Sequence, residues 1–177
     1  MDVGWNRTAA LWGAIDRDSD ILYLYSEHYM GHNEPLQHAE AIMSRGKWIP
    51  GVIDPAARGR GQKDGESLLH IYQQYLPNLT TANNAVEAGI YAVWVRMASG
   101  RFKVFSTLQH YLGEFRIYRR DDKGNVVKDN DHLQDCARYL CASGLDRATN
   151  RPPSMWNVPG SREDIRHQFE YDPLKVA

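Results

Sequence analysis

The chain runs to 177 residues, 42% of them hydrophobic and 24% charged, with a formal net charge of −1. That length and composition describe one ordinary globular domain with room for a substantial core. The near-neutral balance does not by itself announce a nucleic-acid binder, but it leaves room for an acidic cluster that hides a basic rim in the sum.

Asp2 stands almost at the start. A glycine turn at Gly4, the apolar run Ala9 to Ile15, the polar turn Asp16 to Asp20 and a further strand over Ile21 to Tyr29 predict a three-stranded meander. Leu36, Ala39, Ile42 and Met43 recur at helical spacing within Glu34 to Arg45, and Gly46 is a suitable stop. Trp48 to Pro55 reads as a short buried strand ending in Asp54. The glycine-rich stretch Ala56 to Ser67, carrying Arg58, Arg60 and Lys63, reads as a basic loop placed where a phosphate-bearing ligand would approach that acid.

Glu66 to Tyr75 is a predicted helix ended by Pro77, Leu79 to Ala82 a brief strand, and Val86 to Ala98 a helix capped by Asn83 or Asn84. Arg101 to Phe105 then reads as a strand, Leu108 to Phe115 as a helix, and Ile117 to Lys128 as a hairpin turning at Lys123-Gly124. Strands alternating with helices after an antiparallel start predict a mixed α/β sheet. Residues 1–145 are expected to form the domain, and 146–177 a tail packed on the body or partly disordered.

No stretch is apolar for long enough to span a bilayer, and the N-terminus lacks a signal-peptide pattern, so no membrane association and a cytosolic setting are expected. Cys136 and Cys141 have a spacing that suits neither a CxxC metal site nor a short helical bridge; they are expected as buried reduced thiols. His28, His32 and His38 span several elements without a paired ligand motif and are read as structural, as are Tyr72, Tyr91 and Trp94, which are expected in the core.

The most informative stretch is Lys128 to Leu140. Asp131, Asp135 and Arg138 fall near one face of a helix, opposite a stripe of Leu133, Ala137 and Leu140, so one side is expected to be buried while the other presents carboxylates. Asp and Asn also favour helix starts, so an acid-capped surface helix accounts for the same residues. What favours chemistry is the company of Asp2 beside a strand and Asp54 at the end of another. Hydrolysis of a phosphodiester by two divalent ions needs acids brought together from separate elements, because Mg²⁺ or Mn²⁺ prefers oxygen ligands with positions left for water and substrate. Asp2, Asp54 and Asp135 meet that specification, Asp131 is a further ligand or a support, and His132 is a proton shuttle or ligand.

Asp2-Val3-Gly4-Trp5, Gly51-Val52-Ile53-Asp54-Pro55, Glu87-Ala88-Gly89-Ile90, Gly100-Arg101-Phe102-Lys103-Val104, Tyr118-Arg119-Arg120 and above all Asn130-Asp131-His132-Leu133-Gln134-Asp135-Cys136-Ala137-Arg138-Tyr139 resemble the C-terminal nuclease domain of the large terminase subunit of tailed bacteriophages. The resemblance implies an RNase H-like fold: a mixed central sheet, three antiparallel strands then parallel ones, flanked by helices, with a β-hairpin beside the active cleft. It implies metal-dependent cutting of double-stranded concatemeric DNA during genome packaging, with two Mg²⁺ or Mn²⁺ ions held by Asp2, Asp54 and Asp135, and with Asp131 and His132 adjacent. It also implies as partners a packaging ATPase domain of the same protein, the portal protein and the small terminase subunit, in the host cytoplasm. No Gly-x-x-x-x-Gly-Lys-Ser/Thr loop occurs, so ATPase activity is not expected in this chain.

Arg58, Arg60 and Lys63 in the loop and Arg119, Arg120, Lys123 and Lys128 on the hairpin are the basic candidates for DNA contact, through the backbone and with little sequence preference. The rival readings are a junction resolvase or transposase-like nuclease on the same fold, and a non-catalytic module that docks on the portal.

Overall fold

The backbone hydrogen bonds of the first two residues join what would otherwise be two separate sheets. In the computed structural model, which describes residues 1–59 and 66–150, β1 (Thr8–Asp16) pairs antiparallel with β2 (Ile21–Met30), and β5 (Phe102–Val104) lies parallel to β2. A second parallel pair is formed by β3 (Gly51–Ile53) and β4 (Leu79–Thr81). Between them, Asp2 exchanges both backbone hydrogen bonds with Ala9, at 2.9 and 2.8 Å. The Met1 nitrogen donates to the Val52 carbonyl at 2.5 Å, and the Asp54 amide donates to the Met1 carbonyl at 2.9 Å. That is the slanted pattern of a parallel ladder, and it sets Met1 opposite Ile53 and Asp2 opposite Asp54. Of the first strand of the expected meander, Met1 and Asp2 lie in the ladder, and the chain leaves it at Gly4 to Asn6, which are exposed.

Successive side chains of β1 alternate between faces. Ala9 packs with Leu22, Leu24, Phe102, Leu108, Tyr111, Leu133, Cys136 and Ala137. Ala10 and Trp12 pack on the other side with Met1, Ala39, Ile53, Tyr72 and Leu79. The first face is covered by α3 (Val86–Ala98), α4 (Gln109–Ile117) and α5 (His132–Tyr139), the second by α1 (Pro35–Met43) and α2 (Leu68–Tyr75). Since Met1 and Ile53 belong to the α1/α2 core, their neighbours Asp2 and Asp54 are turned towards the α5 side.

Several expectations are corrected. The helix carrying Asp135 does not present a polar face to solvent: Leu133 through Tyr139 are all buried, with Asp135 at 7% and Arg138 at 3% exposure, because β1, α3 and α4 close around it and the charges are paired internally. Tyr91 and Trp94, expected in the core, stack on each other on the exposed side of α3, at 64% and 59% exposure. Tyr72 is buried as expected. α4 continues to Ile117, so the hairpin shrinks to one bridge between Arg120 and Val126 around a turn in which the Asp121 carboxylate accepts from the Lys123 and Asn125 amides. Ala85, not an asparagine, caps α3, with its amide held by the Asn83 side chain. Cys136 and Cys141 are free thiols, pushed up to about 12 and about 11 by burial. Arg60, Lys63 and the expected tail from Arg151 onward lie outside the described residues.

His28 on β2 and His38 on α1 face each other in the interior, Nε2 to Nδ1 at 2.9 Å. Burial, with His38 and Arg45 nearby, pushes His28 down to about 4 from its ordinary 6.5. Between those values the unfolded chain binds more protons than the folded one, so stability is complete above pH 6.5 and is lost as pH falls towards 4. Charging this site costs on the order of 3 kcal/mol. Chemical denaturation at neutral pH and near pH 4.5 is expected to show a drop that His28→Gln reduces; an equal drop in both proteins would remove His28 as its source.

Candidate active site

Helix α5 enters the core with its first turn unsupported by its own N-cap, because Asp131 makes no side-chain cap hydrogen bond. Glu114 of α4 supplies the missing acceptor. One of its carboxylate oxygens receives the Leu133 amide at 2.7 Å and the Gln134 amide at 3.2 Å, and Gln134 Nε2 returns to the Tyr111 carbonyl at 3.0 Å. Burial raises the Glu114 carboxyl, opposed by these hydrogen bonds and one from the Tyr29 hydroxyl. An anion at this point also meets the positive end of the α5 dipole.

The acids on and around α5 are held by cations. Asp135 Oδ1 accepts from Arg138 Nη2 at 2.7 Å and Nε at 2.9 Å, while its Oδ2 lies 3.0 Å from Lys128 Nζ. The same ammonium sits 2.9 Å from Asp131 Oδ2. Burial works against the Lys128 charge, but its hydrogen bonds to Asp131 and Asp135 outweigh it and raise the group. Arg138 reaches its place because α3 carries Gly89 there: a β-carbon on Gly89 would stand 3.2 Å from Arg138 Cβ.

Across from α5, Asp2 Oδ2 pairs with His132 Nδ1 at 2.8 Å. Hydrogen bonding to Asp2 raises the His132 imidazole despite its partial burial. Asp54 opens the short 3-10 turn Pro55–Arg58 and accepts the Ala56 amide at 2.9 Å. The charges of Asp54, Asp135 and Asp2 all act on the buried Tyr139 phenol, adding to the burial that pushes it far above the ordinary tyrosine range. Among the described residues, no three His, Cys, Asp or Glu side chains converge closely enough to form a ready-made metal cage.

The family model described as the terminase RNaseH-like domain matches residues 1–143. The chain belongs to this family. The large terminase subunit of Salmonella phage P22 is 35% identical over 149 residues, covering 78% of this chain and 30% of that protein, so the chain spans about a third of the curated relatives it matches. The P22 large terminase nuclease domain superposes with a TM-score of 0.73 at 32% identity, covering 81% of this chain and 78% of that one. The nuclease domain of the SPP1 large terminase, solved with bound Mn, gives 0.55 at 13% identity, covering 82% and 83%. The fold is RNase H-like, as the motifs led us to expect.

In this terminase domain the basic candidates divide. Arg120 pairs with Glu87, its Nη2 2.7 Å from Oε2, Lys128 is engaged with the two acids, and Arg58 donates to Thr81 Oγ1; Arg119 and Lys123 are exposed on the hairpin. Sequence reading missed Glu114 and Tyr139. Glu114 sits in a predicted helix with nothing local to mark it, although an unsupported first turn in α5 is a reason to look for a distant acceptor. Removing that acceptor leaves two buried amides unpaired: Glu114→Ala is expected to lower stability by about 2–4 kcal/mol in urea denaturation, with Glu114→Gln between it and wild type. Equal stability of all three would remove Glu114 from its capping role.

Proposed function

We propose that this domain is a metal-dependent endonuclease that hydrolyses phosphodiester bonds of double-stranded concatemeric viral DNA during genome packaging. The observation that carries the reading is that the seam sets Asp2 and Asp54 side by side on the α5 face, where their charges and that of Asp135 act on one phenol.

The donor set fits Mg²⁺ or Mn²⁺ by type, since these hard ions take carboxylate oxygens, and the SPP1 domain of this fold carries Mn. Asp2, Asp54 and Asp135 would hold two ions, with Asp131 beside them. Bound there, such ions stabilise charge building on the phosphate and lower the pKa of an attacking water. The chain's own residues do the rest. Arg138, with two nitrogens on Asp135 Oδ1, holds that carboxylate in one orientation. Lys128 neutralises Asp131 and Asp135 where they are buried, a role that a divalent ion held by these carboxylates would share. His132 is fixed through Nδ1 by Asp2, which leaves Nε2 to exchange a proton with substrate or solvent. Arg119 and Lys123 would contact the phosphate backbone, joined by Arg60 and Lys63.

By the same reading, residues 1–145 are the nuclease body of a longer protein that also carries the packaging ATPase. Its partners are DNA, the portal protein and the small terminase subunit, and it acts in the host cytoplasm. Among the described residues no helix is long and apolar enough to cross a membrane.

Asp54→Ala and Asp135→Asn are expected to reduce Mn²⁺-dependent nicking and linearisation of plasmid DNA by at least about a hundredfold while the far-UV circular dichroism is kept. Wild-type rates in both variants would refute the assignment. Preference for four-way junctions over linear duplex would favour a resolvase instead.

A further inference from the structure

Beside the acids lies a cluster of rings and one guanidinium that the roles above do not use. Tyr29, on β2, has its ring centroid 6.4 Å from that of His132, whose Nδ1 is on Asp2. The Arg7 guanidinium lies over the Tyr29 ring at 4.4 Å, and His110 at the start of α4 stacks on the same ring at 4.6 Å. Trp5 follows, edge-on to His32 at 5.8 Å and 61% exposed; His32 and His110 are exposed as well. Burial and the neighbouring Glu114 carboxylate push the half-buried Tyr29 phenol up to about 12.

We propose that Trp5, Arg7, Tyr29, His32 and His110 form a platform that grips one DNA strand as it reaches Asp2 and His132. Among the described residues no carboxylate pairs with Arg7 and no acceptor takes a hydrogen bond from it, so its N–H edge is available to a phosphate while its face rests on Tyr29. An indole and two imidazoles at the surface offer π-faces on which the bases of a strand opened at a duplex end can stack without sequence preference.

The occupant is a nucleic-acid strand for two reasons on the molecule itself. The platform is continuous with the aspartate pair through His132. The centre is acidic and repels phosphate, so cations must flank it. Among the described residues, Arg120 and Lys128 are tied to acids, whereas Arg119 and Lys123 on the hairpin and Arg7 on the platform pair with no carboxylate. Sequence reading passed over Arg7 because it stands apart from both basic stretches.

The inference rests on the nuclease reading for its substrate, and its test separates the two. Binding of a short fluorescein-labelled duplex with a single-stranded overhang is followed by anisotropy across a salt series, with Ca²⁺ in place of a cutting metal. Arg7→Gln is expected to weaken binding about three- to tenfold and to flatten the salt slope by about one; Trp5→Ala weakens it comparably with the slope unchanged. Lys103→Gln, an exposed cation on β5 outside the platform, serves as the control and binds as wild type. Wild-type affinity and slope in both platform variants, or no binding by the wild type at low salt, overturns the platform. Cleavage by Asp54→Ala is read separately, so persistent cutting there sinks the aspartate assignment and leaves the binding result to judge the platform alone.

Discussion

A carboxylate in the middle of a buried helix is the constraint to which this structure answers. Asp135 lies inside α5 with hardly any solvent, and an unpaired charge there would cost several kcal/mol. Arg138 and Lys128 neutralise it from two sides, and each imposes conditions on its surroundings. Arg138 needs space against α3, which Gly89 provides. Lys128 needs the chain after the hairpin to return to α5, so the hairpin's last residues are tethered to the acids. Glu114 completes the set by capping the amides that the helix start leaves open. Stability and the candidate chemistry therefore share the same ion pairs.

The sheet supplies the other half. Asp2 and Asp54 owe their placement to backbone hydrogen bonds, and Asp135 owes its placement to a helix pressed onto the opposite core. Two kinds of rigidity meet at Tyr139, which packs with Val52 and Ala82 and feels all three charges. Membership of the terminase family gives this arrangement a chemical context. Pairing Asp2, Asp131 and Asp135 with His132, Lys128 and Arg138 lets these charges be buried without disrupting the fold.

Much of the architecture was legible in the residues. Strand and helix order follows from apolar periodicity and from glycine stops, and the family emerged from motifs whose strongest member is Asn130 to Tyr139. What stayed hidden was set by tertiary packing. Periodicity assigned α5 a polar outer face because Asp131, Asp135 and Arg138 are charged; it could not see that they would pair with each other and be enclosed. Tyr91 and Trp94 looked like core for the converse reason, being large and apolar at helical spacing, yet α3 packs on Arg138 and the sheet through its other side. Lys128 read as a DNA contact, since nothing local tells a solvated lysine from one folded back onto two acids.

The seam at Met1 and Asp2 has a further consequence for how errors in this fold would show themselves. Along a ladder, facing alternates with every residue, so a slip by one position between the seam and β3 would exchange the roles of Ile53 and Asp54. The acid would then be driven among Trp12, Tyr72 and Leu79 while the isoleucine was left beside Asp135. Misalignment of the candidate carboxylates is in this way inseparable from collapse of the apolar interior. A chain with its carboxylates miswired would therefore fail to fold and could not persist as a folded domain with a misplaced acid.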